Sequence, residues 1–567
     1  MNRSSRWCVS WSCQVVFLLA SLGAPVFAQT ERASDQTAGH LSAHSADRTT
    51  DRTPGGPSQN TSPPTPQRTS GPLKQASGEA RVEHALQAAR NNVLDLRALL
   101  LEMPKATDLH NHLFGAVYAE SLLRAGVEDQ LCVNTTTLSF VKTHQDVDVG
   151  VKGKPCGEGS VPAVQAYRDQ VLYDALVDAF SMRGYVPTPG VTGHDKFFST
   201  FRKFDGTDPR HLGEYVDEVA ARAAKQNEQY VELMHTPDFS QAAALAREIG
   251  WQDDLAAFRD KLLAHGLRDS VASARAQLNE MEKVRREREH CGEAKETNAC
   301  QLQVRYLYQI LRGFPKEQVF AQTLAGFETV AADSRFVGIN FVMPEDGFIA
   351  MSDYAVQMRM VEFLHGLYPH VHITLHAGEI APGLVPYEGL CCHIRLAVEQ
   401  GHAERIGHGV DVMYEDRPYE LLEEMAQKHV MVEINLTSED VILGVTGKSH
   451  PFSIYRRFAV PIALSTDDEG VSRIDLTNEY VRAVQTYELH YRDLKQLVRT
   501  GLEYSFLPGK SLWLDQDRFQ QMHPSCAHDL LAGGKMSDGC TQFLAGSEKA
   551  QQQLELERRF HAFESSH

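Results

Sequence analysis

Four short apolar runs in this chain each end in a histidine or a carboxylate, and helix-length sequence separates them. The endings are His110-Asn111-His112, His376-Ala377-Gly378-Glu379, Gly407-His408-Gly409 and Ser465-Thr466-Asp467-Asp468. If each run is a buried parallel strand, its polar residues lie at the carboxyl edge of the sheet. Barrels and doubly wound sheets keep their chemistry at that edge. The pattern therefore predicts an α/β fold with one shared site.

Eight strand-like runs are spaced along residues 107 to 465. They are Thr107–His110, Tyr230–Met234, Val304–Leu311, Phe336–Val342, Val371–Leu375, Arg405–Gly407, Val430–Ile434 and Ile462–Ser465. Helical sequence alternates with them, which is typical of a closed (β/α)8 barrel resembling triosephosphate isomerase in architecture. A doubly wound open sheet is the alternative.

A His-x-His pair is weak on its own, because 25 histidines in 567 residues give roughly one such pair by chance. A second pair, His370 and His372, begins its strand, where we expect a structural role. His408 alone could be a core residue, and Asp467-Asp468 could cap a helix. The four endings in this order are much harder to obtain by chance. Three histidines and an aspartate suit zinc, and His408 and Glu379 are left for acid-base work.

In combination the four endings resemble the adenosine deaminases of the metal-dependent amidohydrolase superfamily, over residues 104 to about 510. The long insert and the N-terminal leader are most similar to the secreted adenosine deaminase growth factor branch. The resemblance implies one zinc ion per chain, held by His110, His112, His376 and Asp467.

The resemblance also implies the reaction: adenosine, and 2′-deoxyadenosine with it, becomes inosine and ammonia. Glu379 would protonate the purine ring, His408 would orient the attacking water, and Asp468 would bind the far ring nitrogen. Water activated by a metal cannot displace an amine from an aromatic ring until the ring is protonated, so a carboxylic acid beside the metal is required.

Two departures from the family bear on substrate recognition. Phe114-Gly115 stands where the short enzymes carry Asp-Gly, and Met343 to Glu345 stands where the family has a glycine that contacts the purine. We expect Phe114, Gly115, Met343 and Glu345 to contact substrate with Asp468, and His235 and His450 to line the pocket. The alternatives are an amidohydrolase acting on another aminopurine or modified nucleoside, and a secreted growth-factor-like binding protein on this fold.

The N-terminal sequence predicts export. Residues 1–28 carry Arg3 and Arg6, an apolar core and a small-residue ending at Ala28, which is typical of a secretory signal. Residues 29–79 have the Ser/Thr/Pro-rich composition of a disordered linker. A helix over 80–103, the barrel over 104–540 with an insert at about 128–165, and a helical tail over 541–567 follow. The N-terminal helix is expected to pack across the barrel floor, or alternatively to form part of a homodimer interface.

Ten cysteines fit an exported, disulfide-bonded protein, periplasmic or extracellular. Pairing is expected within the insert, between Cys132 and Cys156, because that segment is too small to stabilise itself by burial. Two further local bridges are expected, Cys291 to Cys300 and Cys526 to Cys540. Adjacent Cys391 and Cys392 are expected to be buried thiols.

The net charge of −18 has no basic stripe set against it, which argues against a nucleic-acid partner. No run after residue 28 approaches the eighteen apolar residues that a membrane helix needs. A small, weakly charged molecule such as a purine nucleoside is the expected partner.

Overall fold

The computed structural model describes residues 77–141, 156–529 and 536–567. The predicted signal sequence, the linker up to residue 76 and the centre of the insert lie outside these ranges. None of the helices in the described ranges is both long enough and apolar enough to cross a membrane.

The strands of the described residues form two sheets. They are β1 (Ala106–His112), β2 (Cys132–Asn134), β3 (Ser139–Val141), β4 (Ser160–Pro162), β5 (Glu228–His235), β6 (Gln303–Leu311), β7 (Phe336–Val342), β8 (His372–Ala377), β9 (Arg405–His408), β10 (Met431–Ile434) and β11 (Ile462–Leu464). The large sheet has eight parallel strands in the order β1-β5-β6-β7-β8-β9-β10-β11. β2, β3 and β4 form a small antiparallel sheet inside the insert.

The last strand returns to the first at Asp467. Asp467 N donates to His110 O at 2.8 Å, and His112 N donates to Asp467 O at 3.0 Å. This parallel contact joins the two ends of the large sheet, and the predicted (β/α)8 barrel is confirmed. β1 and β5 are buried along their whole length, as expected for parallel strands covered on both faces.

Helices occupy most of the sequence between the barrel strands. They are α1 (Gly78–Ala89), α2 (Val93–Glu102), α3 (Leu113–Ala116), α4 (Ala119–Glu128), α5 (Gln170–Ala179), α6 (Gly193–Phe204), α7 (Leu212–Lys225), α8 (Ser240–Ile249), α9 (Leu255–Ala264), α10 (Arg268–Arg288), α11 (Lys316–Ala332), α12 (Phe348–Leu367), α13 (His393–Glu399), α14 (Pro418–Gln427), α15 (Leu436–Leu443), α16 (Phe452–Arg457), α17 (Glu469–Ser472), α18 (Leu476–Tyr487), α19 (Tyr491–Glu503), α20 (Asp538–Ala545) and α21 (Glu548–Ser566).

The single helix expected over 80–103 is divided into α1 and α2. The break falls at Asn92, whose side chain accepts hydrogen bonds from the backbone of Leu94 and Asp95 and so starts a new helix. In α2, Val93 is 48% exposed, whereas Leu96 and Leu100 are buried.

Four cysteine pairs are bonded. Cys132 pairs with Cys156, Cys291 with Cys300, and Cys526 with Cys540, as expected. The fourth bond joins Cys391 to Cys392, so the prediction of free thiols there was wrong. The backbone at Cys392 has a φ of 146°, a conformation that sequence alone does not indicate.

Candidate active site

Five predicted polar side chains converge where the carboxyl ends of β1, β8, β9 and β11 meet. Asp467 Oδ1 lies 3.1 Å from His112 Nε2 and 3.5 Å from His110 Nε2. His112 Nε2 is 3.2 Å from His376 Nε2. The side chains of His110, His376, His408 and Asp467 place one ligand atom each within 4.8 Å of one another. The structure thus brings together residues that are more than 350 positions apart in the sequence.

The Nδ1 atoms of His110, His112 and His376 each lie within hydrogen-bond distance of a side-chain oxygen. His110 Nδ1 is 2.6 Å from Glu433 Oε2, His112 Nδ1 is 2.8 Å from Gln309 Oε1, and His376 Nδ1 is 2.6 Å from Asn340 Oδ1. A partner on Nδ1 fixes the ring and leaves Nε2 as the ligand atom, as metal-binding histidines require. Glu433, Gln309 and Asn340 therefore aim all three Nε2 atoms at one point.

Asp467 and His408 adopt left-handed backbone conformations, with φ of 62° and 71°. Such conformations are costly for residues with a side chain and cluster at functional sites. Ser438 Oγ donates to Asp467 Oδ2 at 2.5 Å, which leaves Oδ1 to face the histidines. Burial opposes ionisation of Asp467, but hydrogen bonds from His110 and His112 hold its pKa well below the usual range. Asp467 is therefore ionised and could serve as an anionic metal ligand.

The donor set fits a divalent cation. His110 Nε2 and His408 Nε2 are buried without a hydrogen-bond partner among the described residues. Burial lowers the pKa of His110, but the nearby carboxylates of Asp467 and Glu433 outweigh it and raise that pKa to about 10, so the space between these side chains favours positive charge. Imidazole nitrogens with one carboxylate suit zinc and similar metals. His110, His112, His376 and Asp467 would hold the ion.

Glu379 and His408 flank this cluster. Glu379 Oε1 lies 3.7 Å from His408 Nε2, and His408 Nδ1 lies 3.4 Å from Glu439 Oε1. Burial raises the pKa of Glu379 to about 7, and the charges of Asp467 and Glu345 also raise it, while His408 opposes them. A carboxyl with a pKa near neutrality can hold a proton and deliver it.

Asp468 lies beside Asp467 and against the backbone of α3. Its Oδ1 is buried and has no hydrogen-bond partner among the described residues. Burial and the neighbouring charge of Asp467 raise the pKa of Asp468 well above its usual range. Gly115 lies against the same carboxyl group. Both residues were predicted as substrate contacts, and the unpartnered oxygen gives Asp468 the capacity to bind a polar ligand.

Three other predicted contacts touch protein groups instead. Phe114 packs its ring against Phe204 and Tyr215. The sulfur of Met343 accepts from Gly313 N at 3.3 Å. Glu345 is buried beneath the loop that carries Glu379.

The two histidines predicted to line the pocket are also bonded to protein groups. His235 Nε2 lies 2.9 Å from Gln277 Oε1. His450 Nε2 lies 2.6 Å from Glu439 Oε2, and Glu439 is the residue that faces His408 Nδ1. His450 therefore supports the carboxylate behind His408.

Several site residues were missed from the sequence. Glu433, Gln309 and Asn340 lie inside strands, and the available signal was a single polar residue within an otherwise apolar run. His194 on α6 pairs with Asp346 at 3.0 Å. Burial lowers the pKa of His194, but Asp346 and, after it, the charge of Glu379 outweigh burial and raise that pKa. His194 follows the insert rather than a strand, so no pattern indicated it.

Comparison with known proteins agrees with the geometry. The adenosine deaminase family profile matches residues 208–513. The adenosine deaminase of Clostridium perfringens is 33% identical over 135 residues, which are 24% of this chain and 37% of that protein. The adenosine deaminase of Clostridium acetobutylicum is 28% identical over 156 residues, 27% of this chain and 43% of that protein. The alignments thus span less than half the length of these relatives.

Two solved structures are similar at low identity. A zinc-bound amidohydrolase from Burkholderia ambifaria has a TM-score of 0.47 at 17% identity, over 73% of this chain and 88% of that one. Arabidopsis ADAL, solved with IMP, has a TM-score of 0.47 at 19% identity, over 72% and 93%. The family profile covers more than half of the 567 residues and contains three of the four polar strand endings. The chain belongs to the adenosine deaminase family.

Proposed function

We propose that this protein is an exported, zinc-dependent deaminase that converts adenosine and 2′-deoxyadenosine to inosine and ammonia. The observation that carries the proposal is the position of Glu379, a buried carboxyl with a pKa of about 7 that lies 3.7 Å from His408 at the edge of the histidine cluster. Hydrolytic deamination of an aromatic ring needs a proton donor of this kind beside the point of attack.

Each residue then has one task. Protonated Glu379 delivers its proton to the ring nitrogen next to the amino-bearing carbon, and the ring becomes electrophilic. His408, held at Nδ1 by Glu439, turns Nε2 toward the attacking water and orients it. Asp468 offers Oδ1 to the nitrogen on the far side of the ring. Zinc, when bound by His110, His112, His376 and Asp467, supplies the Lewis acid that activates water for this attack.

The ribose end of the substrate has no acid at position 114. Phe114 is apolar where related short enzymes carry aspartate, and its ring packs into an aromatic cluster with Phe204 and Tyr215. This substitution favours a second candidate, an amidohydrolase acting on another aminopurine or a modified nucleoside. Both candidates use the same acid and the same metal site, so the compounds that the protein turns over must distinguish them.

The test is a spectroscopic assay on the full chain with its metal content measured in parallel. Adenosine, 2′-deoxyadenosine, 5′-deoxyadenosine, adenine and AMP are offered in turn, and ammonia release is followed with the ultraviolet change of the purine. We expect turnover of the two nucleosides with one equivalent of zinc. Turnover of another aminopurine in their place supports the second candidate, and no turnover with zinc bound contradicts both.

A matched control is His370→Asn. His370 belongs to the other His-x-His pair but is exposed at the start of its strand, so its loss should leave zinc and activity unchanged. His112→Asn in the predicted metal site should lose both.

Export is supported by the N-terminal sequence pattern and by the four bonded cysteine pairs. N-terminal sequencing of the mature protein from the periplasm or the medium should begin at Gln29. A protein that keeps Met1 and remains in the cytoplasm contradicts export without touching the proposed chemistry.

A further inference from the structure

A buried ion pair makes hydrogen bonds to the backbone of the loop that carries Glu379. Arg312 lies just beyond β6 and Glu345 just beyond β7, and both side chains are fully buried. Arg312 Nη2 is 3.7 Å from Glu345 Oε2. A buried charge pair costs desolvation free energy, which its hydrogen bonds to other groups offset. Arg312 Nη2 has no hydrogen-bond partner among the described residues, but Nε and Nη1 of Arg312 and both oxygens of Glu345 bond to groups beside the active site.

Arg312 holds the start of the loop. Its Nη1 donates to His376 O at 2.9 Å, and its Nε donates to Met343 O at 3.2 Å. Its own carbonyl accepts from Gln357 Nε2 at 2.8 Å. The planar guanidinium thus fixes the strand end from which His376 extends.

Glu345 holds the other end of the same loop. Its Oε1 accepts from Gly378 N at 3.0 Å, and its Oε2 accepts from Glu379 N at 2.8 Å. Gly378 has a φ of 81°, and a Cβ there would lie 2.6 Å from Asp411 Oδ1, so only glycine fits this turn. Both amides of the turn therefore depend on one carboxylate.

His393 locks that carboxylate in place. Burial opposes the ionised form, but Arg312, His393 and the backbone amides lower the pKa of Glu345 to about 2. An ionised carboxylate only accepts hydrogen bonds, so His393 Nδ1 must donate to Oε1, at 2.5 Å. The ring of His393 stacks on Tyr354 with centroids 3.8 Å apart.

We propose that Arg312, Glu345 and His393 are positioning residues that hold the peptide groups of the His376–Glu379 turn and so fix Glu379 over the ring nitrogen it protonates. The inference rests on the proposed function for the role of Glu379, and it replaces the expectation that Glu345 binds substrate. No contact between the three residues and the substrate is required, because they act through the backbone.

The decisive variant is Glu345→Gln. The glutamine side chain keeps one acceptor oxygen, but its NH2 group faces a donor, either the amide of Gly378 or that of Glu379. One of these two backbone amides therefore loses its hydrogen bond. Displacing a catalytic group by about 1 Å costs on the order of 10²-fold in rate. We expect kcat for adenosine to fall by about 10²-fold, KM to change little, and zinc content to stay at the wild-type level.

Glu289→Gln is the matched control. Glu289 is also buried and paired with an arginine, Arg285 at 2.9 Å, but it lies at the end of α10 away from the site. It should leave kcat unchanged. His393→Leu removes one hydrogen-bond donor and leaves the Glu345 carboxylate in place. We therefore expect a smaller fall in kcat, of about tenfold, with zinc retained. This variant tests the inference if Glu345→Gln does not fold.

Amide hydrogen exchange gives a readout that needs no substrate. The amides of Gly378 and Glu379 should exchange faster in Glu345→Gln than in the wild type, while those of Glu289→Gln should not change. Wild-type kcat in both position-345 and position-393 variants, loss of zinc, or unchanged exchange overturns the inference. An inactive wild type with the expected exchange difference would instead contradict the proposed function. It would still support the inference that Arg312, Glu345 and His393 hold the His376–Glu379 turn.

Discussion

A Cβ atom on Gly115 would lie 1.5 Å from Oδ1 of Asp468. The backbone of α3 therefore forms the wall on which the Asp468 carboxyl group rests, and no other residue type leaves room for that group in its present position. This oxygen has no partner among the described side chains and is the one proposed to bind the purine. Glycine at position 115 is therefore what allows the Asp468 carboxyl group to occupy the position from which it is proposed to bind the purine.

Replacing Gly115 with alanine should displace Asp468. The added methyl group cannot be accommodated without moving the carboxyl group, so we expect KM for adenosine to rise about tenfold or more, with zinc still bound. The measurement is steady-state kinetics beside metal analysis. Unchanged KM would show that Asp468 Oδ1 is not a substrate contact.

Replacing Asp467 with alanine should strip the metal. The remaining donors are imidazoles, which carry no negative charge, and the anionic group that would offset the divalent charge is lost. We expect less than one-tenth of an equivalent of zinc after dialysis, as an order-of-magnitude figure for loss of a ligand. A variant that retains a full equivalent would remove Asp467 from the ligand set.

Replacing Glu379 with glutamine should retain the zinc and abolish proton delivery. General acid catalysis is worth about 10² to 10⁴ in rate, and kcat should fall by at least that much. The acid must be protonated, and its pKa is about 7, so wild-type activity should decline as the pH rises through that value. The residual activity of the variant should not show this decline with rising pH. A variant with wild-type kcat at pH 6 would assign the acid to another residue.

Replacing Glu479 with glutamine should flatten the dependence of stability on pH. Burial raises the pKa of Glu479 to about 7, although the backbone and hydroxyl of Thr437 donate to it. A carboxyl whose pKa is raised on folding contributes stability below its unfolded value of about 4.5, and this is lost as the pH rises through 7.

Between pH 5 and 8 the wild type should therefore lose roughly 2 to 3 kcal/mol more unfolding free energy than Glu479→Gln. Urea unfolding at several pH values measures this difference. The exposed Glu488 at the end of the same helix provides the control, since Glu488→Gln should follow the wild-type curve. Parallel curves for all three proteins would contradict the assignment.

Replacing His194 with alanine should weaken binding of the sugar more than catalysis. His194 projects from α6, bonds to Asp346 at 3.0 Å and is close enough to Glu379 for the charge of that carboxylate to act on it. We infer that it takes the place of the acid missing at position 114. We expect the preference for adenosine over 5′-deoxyadenosine to shrink in the variant, because a partly buried polar partner is removed. Equal discrimination in both proteins would place recognition of the 5′-hydroxyl elsewhere.

Much of the barrel could be predicted because parallel strands covered on both faces are continuous apolar runs. The run Val430–Ile434, for example, was predicted within one residue of the observed Met431–Ile434. The proposed metal ligands could be predicted for a related reason, because they are polar residues at the carboxyl ends of those apolar runs. Asp467 and His376 are two such interruptions.

Residues that were missed, or that were predicted in another role as Glu345 was, act through groups that no sequence pattern marks. Glu345 grips backbone amides, and backbone amides exist at every position. Asn92 divides a helix whose apolar spacing continues across the break, because a capping side chain satisfies N–H groups that periodicity does not count. His194 reaches the site only because α6 returns over the barrel after the insert.

The contact between β1 and β11 at Asp467 makes the metal site part of the barrel seam. Leu109 and Ser465, 356 positions apart, meet there, and the ring is complete only when the first and last strands find each other. The proposed ligands lie on both sides of this junction, His110 and His112 on one and Asp467 on the other. A metal ion bound there would link the first strand to the last, and its binding free energy would also stabilise the closed barrel. Metal uptake and the end of folding would then be one event, and chelation should loosen the first and last strands before any others.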